Sequence, residues 1–89
     1  MTVIEVIHTN GLSDIINPAR IDGVAESKNC GFRLFILYSN NTRWEVTEND
    51  KIILSELNMN YTQVDSEISF DDFKSKIKGI MLDSQITRL

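Results

Sequence analysis

Apolar and polar positions alternate most clearly between Phe32 and Thr47. On an extended chain Phe32, Leu34, Ile36 and Tyr38 share one face, with Phe35 and Leu37 on the other after Arg33. An apolar run on both faces is the mark of a central strand covered on two sides. Asn40-Asn41 comes next, two residues that tolerate the left-handed backbone a tight hairpin turn needs. Beyond it Trp44 and Val46 point inward while Arg43, Glu45 and Thr47 point outward. The pattern predicts a hairpin over 32–47.

The flanking segments are less decided. Val3-Ile4 and Val6-Ile7 are apolar pairs that fit a helical turn about as well as a buried strand, and only their β-branched composition tilts Val3 to His8 towards strand. Asn10-Gly11 ends that segment as a turn. Ser13 can cap a helical turn through Ile15 and Ile16, which must stop near Asn17 because Pro18 biases the residue before it out of the helical region. Arg20 to Glu26, interrupted by Gly23, reads as a weak or bulged strand, and Lys28-Asn29-Cys30-Gly31 as a loop.

Thr47-Glu48-Asn49-Asp50 reads as a helix start, a threonine N-cap with an acid three residues on, leading to Ile53 and Leu57 on one helical face. A strand through Lys51-Ile52-Ile53-Leu54 competes with it. Asn58 to Glu67 is polar and mostly loop, with room for a short strand at Tyr61 to Val64. The last helix carries stronger signals over 69–84. Ser69 is its N-cap, Asp72 the acid at the third position, and Ile68 and Phe73 a hydrophobic staple. Phe70, Phe73, Ile77, Ile80 and Met81 form its apolar stripe, and Gln85 to Leu89 is left as a tail or short edge strand. The expected fold is α+β: a small antiparallel sheet of about three strands built on the central hairpin, with one or two helices packed on it, forming one compact domain over residues 1–89.

Composition narrows the function. The chain has 89 residues, 42% of them apolar and 25% charged, which places it among ordinary globular domains and away from disorder. No apolar run nears the roughly 20 residues that span a bilayer, and the opening Met1-Thr2-Val3-Ile4-Glu5 lacks a basic region, so neither a membrane span nor a signal peptide is expected. The lone Cys30 cannot form an internal disulfide, which fits a reducing cytoplasm. Twelve Ile against two Ala, with eight Asn, is the mixture that AT-rich coding produces, as in phages and mobile elements of low-GC bacteria.

No catalytic or metal motif stands out, and no cofactor is expected. His8 and Cys30 are the types a nucleophile and its base require, without a surrounding signature, and a lone Cys is usually a small buried apolar residue. Cys30-Gly31-Phe32-Arg33-Leu34 compares poorly with the RNA-recognition core strand. Cys30 stands where a base is wanted, Arg33 where a small residue is, and Leu34 where an aromatic is. The net charge of −4 also has the wrong sign for binding phosphates.

Charge placement says more. Residues 1–44 hold four acids and four bases, whereas 45–72 hold Glu45, Glu48, Asp50, Glu56, Asp65, Glu67, Asp71 and Asp72 against Lys51 alone, a local balance of −7. Residues 73–89 return +3, from four bases against Asp83. Helix-start roles explain Glu48, Asp50, Asp71 and Asp72, because the helix dipole favours acids there. Glu45, Glu56, Asp65 and Glu67 need another reason: a solvated face, or an anionic surface standing in for nucleic acid phosphates against a basic protein groove.

The runs Leu34-Phe35-Ile36-Leu37-Tyr38-Ser39-Asn40-Asn41, Trp44-Glu45-Val46-Thr47-Glu48-Asn49-Asp50 and Phe70-Asp71-Asp72-Phe73, in that order, resemble the small type II-A anti-CRISPR proteins that inhibit Cas9. The resemblance is one of pattern and size and covers the C-terminal two-thirds. It implies a non-enzymatic phage or mobile-element inhibitor acting in the bacterial cytoplasm. The eight acids of 45–72 would then meet a basic, nucleic-acid-binding effector as a decoy, with no direct binding of nucleic acid and no membrane role. A protein-binding adaptor with an apolar interface, its acids serving solubility alone, is the alternative from another class.

Overall fold

A computed structural model describes residues 1–29 and 31–81. Within them lie β1 (Thr2–Ile7), β2 (Ser13–Ile16), a 3-10 turn (Pro18–Arg20), β3 (Gly23–Asn29), β4 (Phe32–Ser39), β5 (Thr42–Thr47), β6 (Lys51–Leu57), β7 (Gln63–Ile68) and the helix α1 (Phe70–Ile80). The strands form two antiparallel sheets, one of four in the order β2-β1-β6-β7 and one of three in the order β3-β4-β5. The fold is α+β, as the sequence predicts, and the three-stranded sheet is the one built on the 32–47 hairpin. The four-stranded sheet is additional.

Alternation decides what each strand buries. In the three-stranded sheet Val24, Phe35, Leu37 and Val46 face inward and are fully or almost fully buried, with Trp44 half-buried beside them. In the four-stranded sheet the inward residues are Ile4, Val6, Ile16 and Ile52, packed with Leu54 and Ile68. Phe70, Phe73, Ile77 and Met81 complete this one core from the helix side, and the Phe73 ring meets Phe35 edge-on, 5.8 Å between centroids at 88°. Each such side chain contributes about 1.5–3 kcal/mol through burial, which is how a chain this short outweighs its ordering entropy.

The turns are set by local chemistry. Asn40 takes φ +54° between Ser39 and Thr42, the left-handed position the hairpin requires. Gly11 closes the β1–β2 hairpin at φ +89°. Ser69 caps α1 by accepting the Asp72 N–H at 3.1 Å.

Several sequence expectations are corrected. Ser13 to Ile16 is a strand, not a helical turn, because pairing with β1 sets Ile16 opposite Ile4 in the core. The single turn of 3-10 helix comes later, at Pro18, with Asn17 extended before it and accepting the Ala19 N–H. Lys28 and Asn29 belong to β3 rather than to a loop, while Cys30 lies outside the described residues. Thr47 to Asp50 does not start a helix. The Asp50 carboxylate accepts the Thr47 N–H at 2.9 Å and the Thr47 hydroxyl accepts the Asn49 N–H at 3.3 Å, bonds that close a turn as well as they open a helix. That turn leads into the competing strand, since Lys51–Leu57 pairs with β1 on one side and β7 on the other.

The acidic stretch from Gln63 to Ile68 is likewise a strand, at the sheet edge, where only Ile68 reaches the core and no apolar period announces it. Finally, α1 ends at Ile80, and Ile80 is 39% exposed rather than part of the buried stripe. The expected tail from Gln85 to Leu89 lies outside the described residues.

Candidate functional site

The eight acids singled out in the sequence are dispersed. Glu45, on the outer face of β5, pairs with Arg43 of the same strand at 2.7 Å. Glu48 and Asp71 converge on Arg33, whose Nε lies 3.1 Å from one and Nη1 2.7 Å from the other. Their contacts with Arg33 hold both carboxyls below the ordinary range, and the guanidinium stacks on Phe70 at 5.0 Å. Glu56 meets Lys76 at 2.9 Å, which lowers its pKa in turn. The Asp50 side chain is only 5% exposed and bonded to His8. Thus five of the eight already have a base of this chain. Asp65, Glu67 and Asp72 have none among the described residues. Asp65 and Glu67 stand together on one face of β7, and the Ser55 hydroxyl across the ladder, with the Gln63 amide, lowers the Asp65 pKa.

His8 is the centre of a partly buried polar cluster. Its Nε2 lies 2.7 Å from Asp14 and its Nδ1 3.1 Å from Asp50, so the ring ties β1 to β2 and to the β5–β6 turn. The hydrogen bond to Asp14, then the charge and bond of Asp50, raise the imidazole pKa above its ordinary value against an opposing desolvation effect. Both nitrogens face carboxylate oxygens, an arrangement that favours the doubly protonated imidazolium. An open hollow of about 710 Å³ lies beside it, reaching Trp44 and Arg43. No set of three ligating side chains suited to a metal ion is present among the described residues.

A further surface escaped sequence reasoning. The inward set of the four-stranded sheet takes the even positions of β1, β2, β6 and β7, leaving Val3, Glu5, Ile7, Ser13, Ile15, Lys51, Ile53, Ser55, Leu57, Gln63, Asp65 and Glu67 on the outer face. A solvated sheet face normally carries polar residues. Here Val3, Ile7, Ile15 and Ile53 surround Glu5 in its middle, and no described element covers them. At its end Met1, Val3, Ser55, Leu57 and Gln63 line an open depression of about 330 Å³. The adjoining β6–β7 turn presents Met59 at 96% and Tyr61 at 85% exposure. That turn is held in shape, because the Asn58 side chain accepts the N–H groups of Asn60 and Thr62 at 3.0 and 2.9 Å. The available signal was the apolar pairing of Val3-Ile4 and Val6-Ile7, which marks both faces of β1 as apolar.

Comparison with protein-family models, with curated proteins and with solved structures finds no match to this chain. No helix among the described residues is long and apolar enough to cross a membrane.

Proposed function

We propose that this chain is a protein-binding module whose contact surface is the outer face of the four-stranded sheet together with the β6–β7 turn. The observation that carries the reading is the exposure of Met59 and Tyr61 on a turn fixed by Asn58, continuous with Leu57, Met1 and Val3. A turn whose backbone is already fixed loses little further backbone entropy when a partner covers it, and contiguous exposed apolar patches mark interaction sites. Asp65 and Glu67 border the apolar residues and Glu5 stands among them, so the partner that fits presents apolar contacts interspersed with bases.

The test is a paired substitution, Met59→Ser with Tyr61→Ser, in the chain expressed in its native cell. Both side chains are almost fully exposed, so the fold and its melting midpoint should stay unchanged while the co-purifying partner is lost. Retention of the same partner by the folded double variant contradicts the proposal.

A second reading rests on Asp65, Glu67 and Asp72, which meet no base among the described residues. In it the chain inhibits a basic, nucleic-acid-handling effector of the Cas9 type by occupying a phosphate-binding groove, as the resemblance implies. Binding would then fall steeply between 0.05 and 0.5 M salt, roughly the span over which the Debye length shrinks from above 10 Å to below 5 Å. Contact through the apolar face depends on salt far less.

A further inference from the structure

β7 is an edge strand with an open side. The Asn58 N–H bonds the Thr62 carbonyl at 3.1 Å, and the Leu57 N–H turns the other way, to the Met1 carbonyl at 3.0 Å. Backbone groups of an antiparallel ladder alternate in direction, so the register Glu56↔Val64, Leu54↔Ser66 and Ile52↔Ile68 marks the residues bonded to β6. The backbone N–H and C=O groups of Gln63, Asp65 and Glu67 therefore point away from the sheet. The opposite edge, β2, is only four residues long and is succeeded closely by Pro18, which has no N–H to offer.

The same alternation places the Asp65 and Glu67 side chains on the outer face and Val64, Ser66 and Ile68 on the inner one. Charge then selects the occupant. A second copy pairing antiparallel through β7 must set residues of the same face opposite each other. The centred registers place Asp65 against Asp65, or Asp65 against Glu67, and like charges directly opposite are destabilising. Edge acids of this kind guard a sheet against self-pairing. They do not guard it against a basic strand.

We infer that β7 accepts, as a fifth strand, an extended segment of a partner protein in which Lys or Arg alternates with apolar residues. The bases lie beside Asp65 and Glu67, and the apolar residues beside Val64 and Ile68. Main-chain bonds supply affinity and the alternate side chains supply selection. The inference rests on the reading of this sheet as the contact surface and names the class of segment it takes.

The experiment uses the full chain and a blocked ten-residue peptide alternating lysine with valine, with amide hydrogen exchange as the readout. The expected result is at least tenfold slower exchange at Gln63, Asp65 and Glu67, with Val64, Ser66 and Ile68 already protected and little changed. A peptide alternating glutamate with valine should give no effect, and the paired change Asp65→Lys with Glu67→Lys should reverse the preference. Asp65→Pro, which removes an outward N–H and no ladder bond, should weaken binding at least tenfold while the fold persists. Peptide binding without protection of those three amides overturns the edge inference, as does equal protection by the acidic peptide. Should Met59, Tyr61 and Ile15 alone respond, the edge inference fails while the contact-face reading stands. Should neither edge nor face respond to the peptide, the edge inference fails, and the contact-face reading fails with it if the Met59 and Tyr61 variant also keeps its natural partner.

Discussion

His8 joins three segments that the sequence keeps apart: Asp14 is 6 positions away and Asp50 is 42. No spacing rule connects them, which is why the sequence shows the residue types and not the cluster. The pH dependence has a definite sign. The folded-state pKa of His8 is raised above 6.5, so its contribution to stability is whole below that value and fades as pH rises through the folded-state value above it. Denaturation midpoints measured from pH 5.5 to 9 should therefore fall in the native chain more than in His8→Gln. Parallel curves for the two would show that the ring is not held as an imidazolium. At neutral pH His8→Ala should cost about 1–3 kcal/mol, because it strips the nearly buried Asp50 carboxylate of a partner.

The elements were legible where one periodicity had no rival. The 32–47 hairpin needs period two and an Asn turn, and the start of α1 needs a serine cap, so the hairpin and the helix start stand where the sequence predicts them. The stretches that misled are those whose side chains serve two structures equally. Thr47 and Asp50 make the bonds of a helix cap and use them to close a turn, and Ser13 offers a cap that β1 pairing overrides. β7 carries no apolar period because an edge strand outside the core needs none. The two helical isoleucines give a direct check at this scale. Ile77 is fully buried and Ile80 is 39% exposed, so Ile77→Ala should cost about 2–5 kcal/mol and Ile80→Ala well under half of that. Equal losses in thermal or denaturant melts would place Ile80 back on the buried stripe. Ser69→Ala should cost about 1 kcal/mol through the cap bond to Asp72.

At the scale of the whole molecule, the acidic middle of the sequence becomes several separate neighbourhoods. Arg33, Arg43, His8 and Lys76 come from outside the 45–72 run and engage five of its eight acids, a redistribution that only the tertiary fold determines. What remains together is the Asp65–Glu67 pair beside an apolar sheet face, and the parity of β1 and β6, not the charge count, positions it. Removing that pair with Asp65→Asn and Glu67→Gln should leave the melting midpoint unchanged and slow association with a basic partner, read as a lower on-rate at low salt.

The surface that meets the partner separates the two readings of function. A photo-crosslinking side chain placed singly at Ile15, Tyr61, Glu45 and Asp72, in the native cell, maps it directly. The outer-face reading predicts one common adduct from Ile15 and Tyr61 and none from Glu45 and Asp72. An adduct from Glu45 and Asp72, with Ile15 and Tyr61 silent, would contradict it.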